Sequence, residues 1–218
     1  MKKQFKKTVI INRAVPGSGK TTLSRNITVA CEKAGLSVAN HSTDDFFMEN
    51  NRYRFNIAKL HNYHLCNLML FEKSLRNNVD VVICDNTNIM PWQSRPYTNL
   101  ARASGYQIIF FNLSPRELEK HVAAQKITPQ KPDAHGVPEH ILANFIRDFN
   151  LYSPLLNKNN AVNAAVHYDY KWNQRERSTE ICGTATHFEL DHLVNIEPHE
   201  YHLAKESIGE RFINLIAA

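Results

Sequence analysis

Residues 14–22 have the composition of a turn that binds phosphate. They read Ala-Val-Pro-Gly-Ser-Gly-Lys-Thr-Thr, with a short apolar run before them and a helical pattern after them. In such a turn the backbone N–H groups converge on phosphate oxygens, and the N-terminus of the following helix adds partial positive charge. This is the Walker A pattern with Ala14 in place of the first glycine. The turn therefore predicts a nucleotide-binding site.

Individual residues of the turn have expected roles. Gly17 and Gly19 allow backbone conformations that a side chain would block. We expect Lys20 to bridge the β- and γ-phosphates and Thr21 to offer its hydroxyl to Mg²⁺. The predicted nucleotide-binding residues are Pro16, Gly17, Ser18, Gly19, Lys20, Thr21 and Thr22.

Two adjacent carboxylates, Asp44 and Asp45, follow the second predicted strand. The C-terminal ends of strands in a doubly wound sheet point into the ligand crevice, so a carboxylate there faces the phosphates. A carboxylate that accepts the proton of a hydroxyl and aligns it promotes phosphoryl transfer. We predict that Asp44 is this base. Asp45 is a supporting catalytic residue, a ligand of a metal-bound water or a helix N-cap, and in the alternative interpretation both residues only cap the next helix.

A second acidic motif ends an apolar run at residues 81–88, which read Val-Val-Ile-Cys-Asp-Asn-Thr-Asn. Four apolar residues that end in Asp85 are typical of a strand that brings a carboxylate to Mg²⁺, directly or through water. Asn86, Thr87 and Asn88 would hold substrate or orient Asp85, unless this polar cluster merely turns the chain. The predicted magnesium ligands are thus Thr21 and Asp85.

The elements that must position these residues alternate between strand and helix. Apolar runs predict strands, and segments of mixed polarity predict helices, of which the fourth opens with Ser114 and Glu117 spaced as a capping box. Residues 126–138 contain three prolines and predict a loop. The predicted strands are 7–12, 36–41, 79–84 and 106–112, and the predicted helices are 20–33, 56–76, 91–103, 114–124 and 139–151. This alternation predicts an α/β fold whose mostly parallel sheet is flanked by helices.

The pattern changes after Asn157. We predict a core over residues 1–157 and a C-terminal extension or small lobe over residues 158–218, with strands near 165–172 and 187–191 and a helix over 201–216. A protein partner of this extension fits the pattern, although no motif identifies one.

Composition excludes several classes of protein. Hydrophobic residues make up 43% and charged residues 22% of the 218, a globular balance. The chain has no apolar run of the roughly 18 residues that a membrane span needs, so we expect no membrane association. Four scattered cysteines without a CxxC pair favour reduced thiols and a cytoplasmic location. The net charge is +5, and residues 1–30 hold seven Lys/Arg and no Asp/Glu, which is compatible either with a polyanionic partner or with a solvated basic tail.

Several further motifs stand in order between the first turn and residue 155. Together the motifs resemble the polynucleotide-kinase branch of the P-loop kinases, and most of all the small ATP-binding proteins related to the kinase domain of ubiquitin-ligase-binding proteins. Bacteriophage polynucleotide 5′-kinase and the zeta-toxin kinases are more distant. The resemblance rests on residues 16–22, 42–47, 53–55, His61, residues 85–88, Trp92, residues 96–97 and residues 135–138.

The resemblance implies a P-loop NTPase fold with a lid at about residues 126–138. It implies an enzyme that transfers the γ-phosphate of ATP, with Mg²⁺, to a hydroxyl of a polynucleotide 5′ end or nucleotide-like acceptor. In this group the first residue of the acidic pair, here Asp44, is the general base. The residues that it suggests for the acceptor or the lid are Arg54, His61, Asn86, Asn88, Arg116, Lys126, Lys131 and His135.

The chain departs from the family pattern in its lid. Relatives carry an arginine shortly before His-Gly-Val-Pro, where this chain has Lys-Pro-Asp-Ala from residue 131. Lys126, Lys131 or Arg116 would have to replace that arginine, and lysine lacks its planar fork. Two alternatives therefore stay open: a zeta-toxin-like kinase of a nucleotide sugar or other small metabolite, and an ATP-binding interaction module with little catalysis.

Overall fold

A seven-residue buried strand lies at the centre of the sheet in the computed structural model, which describes residues 4–131, 134–157 and 187–217. The strands are β1 (Thr8–Ala14), β2 (Val38–His41), β3 (Met48–Glu49), β4 (Arg52–Tyr53), β5 (Val81–Cys84), β6 (Gln107–Leu113) and β7 (His192–Ile196). The helices are α1 (Lys20–Lys33), α2 (Ile57–Arg76), α3 (Pro91–Ala103), α4 (Leu118–Ala124), α5 (Glu139–Tyr152) and α6 (Tyr201–Ile216).

Five of the strands form one sheet in the order β2-β5-β1-β6-β7, and every neighbouring pair is parallel. Strand β1 is buried along its whole length, which explains why the apolar residues at 9–11 run on without the alternation of a half-exposed strand. The short strands β3 and β4 pair separately as an antiparallel ribbon. The parallel sheet flanked by helices confirms the predicted fold class.

Helices cover both faces of this sheet, because successive side chains of a strand point to opposite faces. Ile10 of β1 packs with residues of α1 and α6 such as Ile27 and Phe212. On the other face Val9 packs with residues of α2 and α3 such as Phe71 and Tyr97. A third apolar cluster, built from Val15, Ile89, Leu142 and Phe149, joins the loops above the sheet to α5.

The C-terminal strand belongs to the same sheet as the other long strands, and the C-terminal helix packs on one of its helices. Strand β7 pairs with β6 from Ile109↔His192 to Leu113↔Ile196. Helix α6 packs closely on α1, where a Cβ atom at Gly209 would lie only 2.6 Å from the Ala30 Cβ. The predicted helix over 201–216 is confirmed, whereas the strand expected at 187–191 begins at His192, and the one expected at 165–172 lies outside the described residues. The division of the chain near residue 157 stays a prediction.

Most predicted helix bounds agree with the structure, but the start of α4 differs. Ser114 does not cap this helix, which begins at Leu118. The Ser114 N–H instead donates to the carbonyl of Ile196 at 3.0 Å, and its hydroxyl donates to Glu197 at 2.9 Å. Ser114 thus continues the pairing at the edge of the sheet, and the predicted capping box is wrong. Within the described part of the chain no helix has the length and hydropathy needed to cross a bilayer.

A fully buried arginine joins the sheet to the helices above it. Arg13, near the end of β1, donates hydrogen bonds to the Ile89 carbonyl, Asn112, the Ser153 hydroxyl and the Phe149 carbonyl. Its guanidinium also lies 3.9 Å from the ring centre of Phe149. Burial lowers the pKa of Arg13 to about 9, so the side chain remains charged at neutral pH. These four acceptors are neutral oxygens.

Candidate active site

The predicted phosphate-binding turn connects β1 to α1 and has the backbone conformation that its glycines were expected to permit. Gly17 has φ of 83° and Gly19 has φ of 85°, both in the left-handed region that favours glycine. Gly19 is the N-cap of α1, and no side chain caps the helix. The first N–H groups of α1 therefore remain available to an anion. Thr21 and Thr22 lie exposed in the first turn.

Helix α4 lies directly against this turn. The ring of His121 is fully buried, with its Nδ1 3.1 Å from the Pro16 carbonyl oxygen. A Cβ atom at Gly17 would lie 2.8 Å from the Gln125 amide nitrogen and 3.3 Å from the Ala124 Cβ, so a side chain here would also crowd α4. The sequence analysis did not identify His121 or Gln125. Their spacing of four residues, which puts both on one face of a helix, was the available signal.

Asp85 follows β5 and is fully buried beside the turn. Its Oδ1 accepts a hydrogen bond from the Asn12 amide at 2.8 Å, and the same amide donates to the Ser24 hydroxyl at 2.7 Å. Burial raises the pKa of the Asp85 carboxyl, a shift that the nearby Lys20 ammonium and the side chains of Asn12 and Thr21 oppose. The structure thus places Asp85 among the residues predicted to bind phosphate and magnesium.

Four buried side-chain atoms lack a hydrogen-bond partner among the described residues. They are Asn12 Oδ1, Ser18 Oγ, Asp85 Oδ2 and Gln125 Oε1, and all belong to residues of the turn or its immediate surroundings. Buried polar atoms are normally hydrogen-bonded, so this concentration marks a site that a ligand completes. Oxygen ligands are those that Mg²⁺ prefers, and Asp85 with the Thr21 hydroxyl therefore fits a magnesium ion held with nucleotide phosphates.

Asp44 faces the turn from the loop after β2. Its Oδ2 lies 3.9 Å from the Lys20 Nζ and 3.6 Å from the His135 Nε2, while its Oδ1 accepts a hydrogen bond of 3.0 Å from the Tyr53 hydroxyl. The side chain is 34% exposed, which leaves room for a further partner. The short helical turn Thr43–Phe47 is capped by Ser42. The alternative in which the acidic pair caps this turn is therefore wrong.

The neighbouring carboxyl of Asp45 has a raised pKa. Burial raises the pKa of its carboxyl, and the charges of Asp85 and Asp44 raise it further. Three carboxylates therefore act on one another around Lys20, which is the arrangement expected of a site that receives a cation.

Two aromatic rings join separate segments over Asp44. Tyr53 from β4 and His135 from the loop before α5 stack with ring centres 4.2 Å apart and an angle of 13° between the rings. Burial, together with the Asp44 charge, raises the pKa of Tyr53, so its hydroxyl stays protonated and donates. The structure therefore brings His135 to the acidic pair, where the lid was predicted to act.

Asn86 and Asn88 connect the loops around the site. Asn86 accepts a hydrogen bond from the Thr43 N–H at 3.0 Å and donates to the Tyr97 hydroxyl at 3.2 Å, linking the loop after β5 to the turn that carries Asp44. Asn88 has φ of 46° and donates to the Asn12 carbonyl at 2.8 Å. Both amides hold protein groups, but none of these bonds goes to the Asp85 carboxylate, so their predicted roles toward substrate or Asp85 stay predictions.

Four of the remaining predicted residues are exposed at the surface. Arg54 is exposed 3.9 Å from Glu49, and His61, Lys126 and Lys131 are also exposed. Arg116 lines a groove of about 520 Å³ with Lys120, Pro198 and His199, and it also borders a cavity of about 630 Å³ beside Asn112 and Asn195. No residue of the phosphate-binding turn lines either space.

Comparison with known proteins gives one family and several relatives. Residues 9–152 match the family model described as an AAA domain. Over 130 residues the chain is 29% identical to human NEDD4-binding protein 2, a match that covers 55% of this chain and 7% of that protein. The chain thus spans only a small part of that relative.

Two solved structures resemble the fold. A fungal RNA kinase has a TM-score of 0.50 at 14% identity, over 98% of this chain and 90% of that one. A putative kinase from Chloroflexus aurantiacus has a TM-score of 0.51 at 13% identity, over 95% of this chain and 98% of that one. At these identities the similarity is one of fold.

Proposed function

Because the chain belongs to the AAA domain family, whose P-loop binds nucleotides, we propose that it is an ATP- and Mg²⁺-dependent kinase. It transfers the γ-phosphate to a hydroxyl, and the preferred acceptor is a polynucleotide 5′ end or a nucleotide-like molecule. The observation that carries this proposal is the distance of 3.9 Å between the Asp44 carboxylate and the ammonium of Lys20. Asp44, the base for the acceptor hydroxyl, is thereby next to Lys20, the cation for the transferred phosphate.

In the proposed reaction Asp44 takes the proton of the acceptor hydroxyl. The acceptor oxygen then bonds to the γ-phosphorus, the bond from that phosphorus to the bridging oxygen breaks, and ADP leaves. Lys20 and the N–H groups of the turn hold the phosphates throughout. Thr21 and Asp85 would hold Mg²⁺, which when bound neutralises charge on the phosphate oxygens. Asp45 supports the site as the second carboxylate beside this cation.

The preference for a nucleic acid end rests on the surroundings of Asp44. The stacked rings of Tyr53 and His135 lie against its carboxylate. Phe55 packs on Phe47 and is 54% exposed. Aromatic faces beside a cation such as Arg54 suit an unpaired base and its phosphate. The fold similarity to a fungal RNA kinase agrees with this choice.

A second candidate, an ATP-binding module with little catalysis, is favoured by one feature. The face of α4 over the turn presents His121, Ala124 and Gln125, none of which carries the charge that stabilises a transferring phosphate. The lysines at 126 and 131 are exposed and offer a point charge rather than a planar fork. Robust phosphate transfer to any acceptor would eliminate this candidate.

The test supplies γ-labelled ATP and Mg²⁺ to the purified protein with 5′-hydroxyl RNA and DNA oligonucleotides, and with nucleotide sugars in parallel. We expect label on an oligonucleotide with the wild type and with Glu72→Gln, a control carboxylate on α2 that pairs with Arg76. Lys20→Ala and Asp44→Asn should give no label, although Asp44→Asn should still bind ATP. Label only on a nucleotide sugar would refute the polynucleotide acceptor. ATP binding without transfer to any acceptor would favour the module.

A further inference from the structure

We propose that His121 is a positioning residue that holds the phosphate-binding turn in its nucleotide-binding shape, and that protonation of its ring releases the turn. The proposal rests on nucleotide binding by the P-loop and does not require the transfer step. It concerns a buried side chain of α4 to which the proposed reaction gives no role.

The hydrogen bonds of His121 determine which ring nitrogen carries the proton. The Arg116 N–H lies 2.9 Å from Nε2, and because a backbone N–H only donates, Nε2 must be the unprotonated acceptor. The proton of the neutral ring is then on Nδ1, which donates to the Pro16 carbonyl at 3.1 Å. The ring is 0% exposed, so water does not replace either partner. A neutral His121 thus links Arg116 to the turn.

The bond to Pro16 has a geometric consequence for the ligand side of the turn. The Pro16 carbonyl and the Gly17 N–H belong to one planar trans peptide, in which the two groups point in opposite directions. Fixing the carbonyl toward α4 therefore directs the Gly17 N–H away from α4. The Gln125 and Ala124 side chains lie close to the same residue. His121 in this way orients one of the N–H groups expected to contact phosphate.

The surroundings of the ring oppose its protonation. Burial lowers the pKa of His121, the bond to Pro16 raises it in part, and the charge of Arg116 lowers it again. Two ion pairs lie in this region, Lys120 with Glu117 at 3.0 Å at the start of α4 and Arg147 with Asp148 at 2.9 Å on α5, and the carboxylates of Glu119 and Glu139 are on the same two helices. An imidazolium would direct an Nε2–H at the Arg116 N–H, and two donors cannot share a hydrogen bond. Because the fully buried ring cannot keep this second donor against the Arg116 N–H, protonation displaces the ring, and the displaced ring also loses its bond to the Pro16 carbonyl.

The experiment measures ATP affinity by calorimetry from about pH 8 to about pH 5, the range in which histidine titrates. The matched variants separate the two bonds. His121→Asn places an amide donor at the δ position and can keep the Pro16 bond, whereas His121→Gln places an acceptor at the ε position and can keep only the Arg116 bond. His121→Phe keeps the bulk of the ring and neither bond. The ratio of wild-type to His121→Asn affinity cancels the titration of ATP itself, and thermal melts confirm that each variant is folded.

We expect His121→Asn to match the wild type within about twofold near pH 8 and to bind ATP more tightly than the wild type near pH 5. His121→Gln and His121→Phe both lose the bond to the Pro16 carbonyl. Each should bind ATP about three- to tenfold more weakly than the wild type at every pH, the effect expected from that one bond. Equal affinities of His121→Asn and His121→Gln, or a wild-type to His121→Asn ratio independent of pH, would overturn the proposal. ATP binding without transfer would refute the proposed kinase alone, and no ATP binding by the wild type would overturn both.

Discussion

Removing the Arg13 side chain is the sharpest test of how the sheet holds the helices above the site. Arg13→Ala deletes four hydrogen bonds that join β1 to the loop before α3, to β6, and to α5 and the turn after it. The Phe149 carbonyl keeps a second donor in the Ser153 hydroxyl, at 2.7 Å. The Ile89 carbonyl and the Asn112 amide oxygen lose the guanidinium as their donor inside the core.

The magnitude follows from these lost partners. Each buried acceptor left without a donor costs about 1–3 kcal/mol, and the lost contact with the Phe149 ring adds about 1–2 kcal/mol. Burying the guanidinium carries its own desolvation cost, which the variant avoids. We therefore expect Arg13→Ala to lower the free energy of unfolding by about 3–5 kcal/mol. The same variant should loosen α5, because Arg13 contacts both its Phe149 carbonyl and its Phe149 ring.

Urea unfolding followed by circular dichroism measures this loss. Arg76→Ala is the matched control, since this arginine is 76% exposed and pairs with Glu72 one turn away on α2. Its removal should cost about 0.5 kcal/mol or less, as for other surface pairs of this spacing. If Arg13→Ala were no more destabilising than the control, the buried bonds would not be joining the sheet to α5 as argued.

Three further outcomes test other parts of the structure. Gly209→Val should lower the free energy of unfolding by about 1–3 kcal/mol, since its Cβ would lie 2.6 Å from the Ala30 Cβ, and adding Ala30→Gly should restore part of the loss in a urea titration. Burial lowers the pKa of His41 to about 4, so the unfolded chain binds more protons below about pH 6.5, and the melting temperature should fall as pH falls from there toward 4, less steeply in His41→Asn. Tyr53→Phe keeps the ring that stacks on His135 but loses its bond to Asp44, and the phosphate-transfer rate should fall about tenfold at unchanged ATP affinity.

Much of the site was predictable because it lies where parallel strands end. The glycine-rich turn after β1, Asp44 after β2 and Asp85 after β5 are separated in sequence, yet strands of one parallel sheet carry them to the same edge. The bounds of α1 and α3 agree with the sequence patterns because Gly35 follows the first helix and Pro91 begins the second. The comparisons confirm the resemblance to ATP-binding P-loop proteins.

The parts that were missed depend on contacts between distant segments. Nothing local distinguishes His121 from the other ten histidines, because its role comes from Pro16, which is 105 residues away. Arg13 reads as the polar end of a strand, and only the packing of α5 makes it a buried residue. Ser114 has the spacing of a cap, but its N–H donates to the neighbouring strand instead. In each case tertiary contacts override the local pattern.

The packing of α6 on α1 has a consequence for synthesis on the ribosome. The chain emerges from its N-terminus, so the helix that begins at Lys20 is made long before its partner at Tyr201–Ile216. Until that partner follows, the apolar face of α1, with Ile27 and Cys31, lacks the cover that Ile208 and Phe212 later provide. In the nascent chain the phosphate-binding turn therefore leads into a helix whose apolar face is still uncovered. We therefore expect ribosome-bound chains stalled before Tyr201 to bind nucleotide more weakly than chains that include α6.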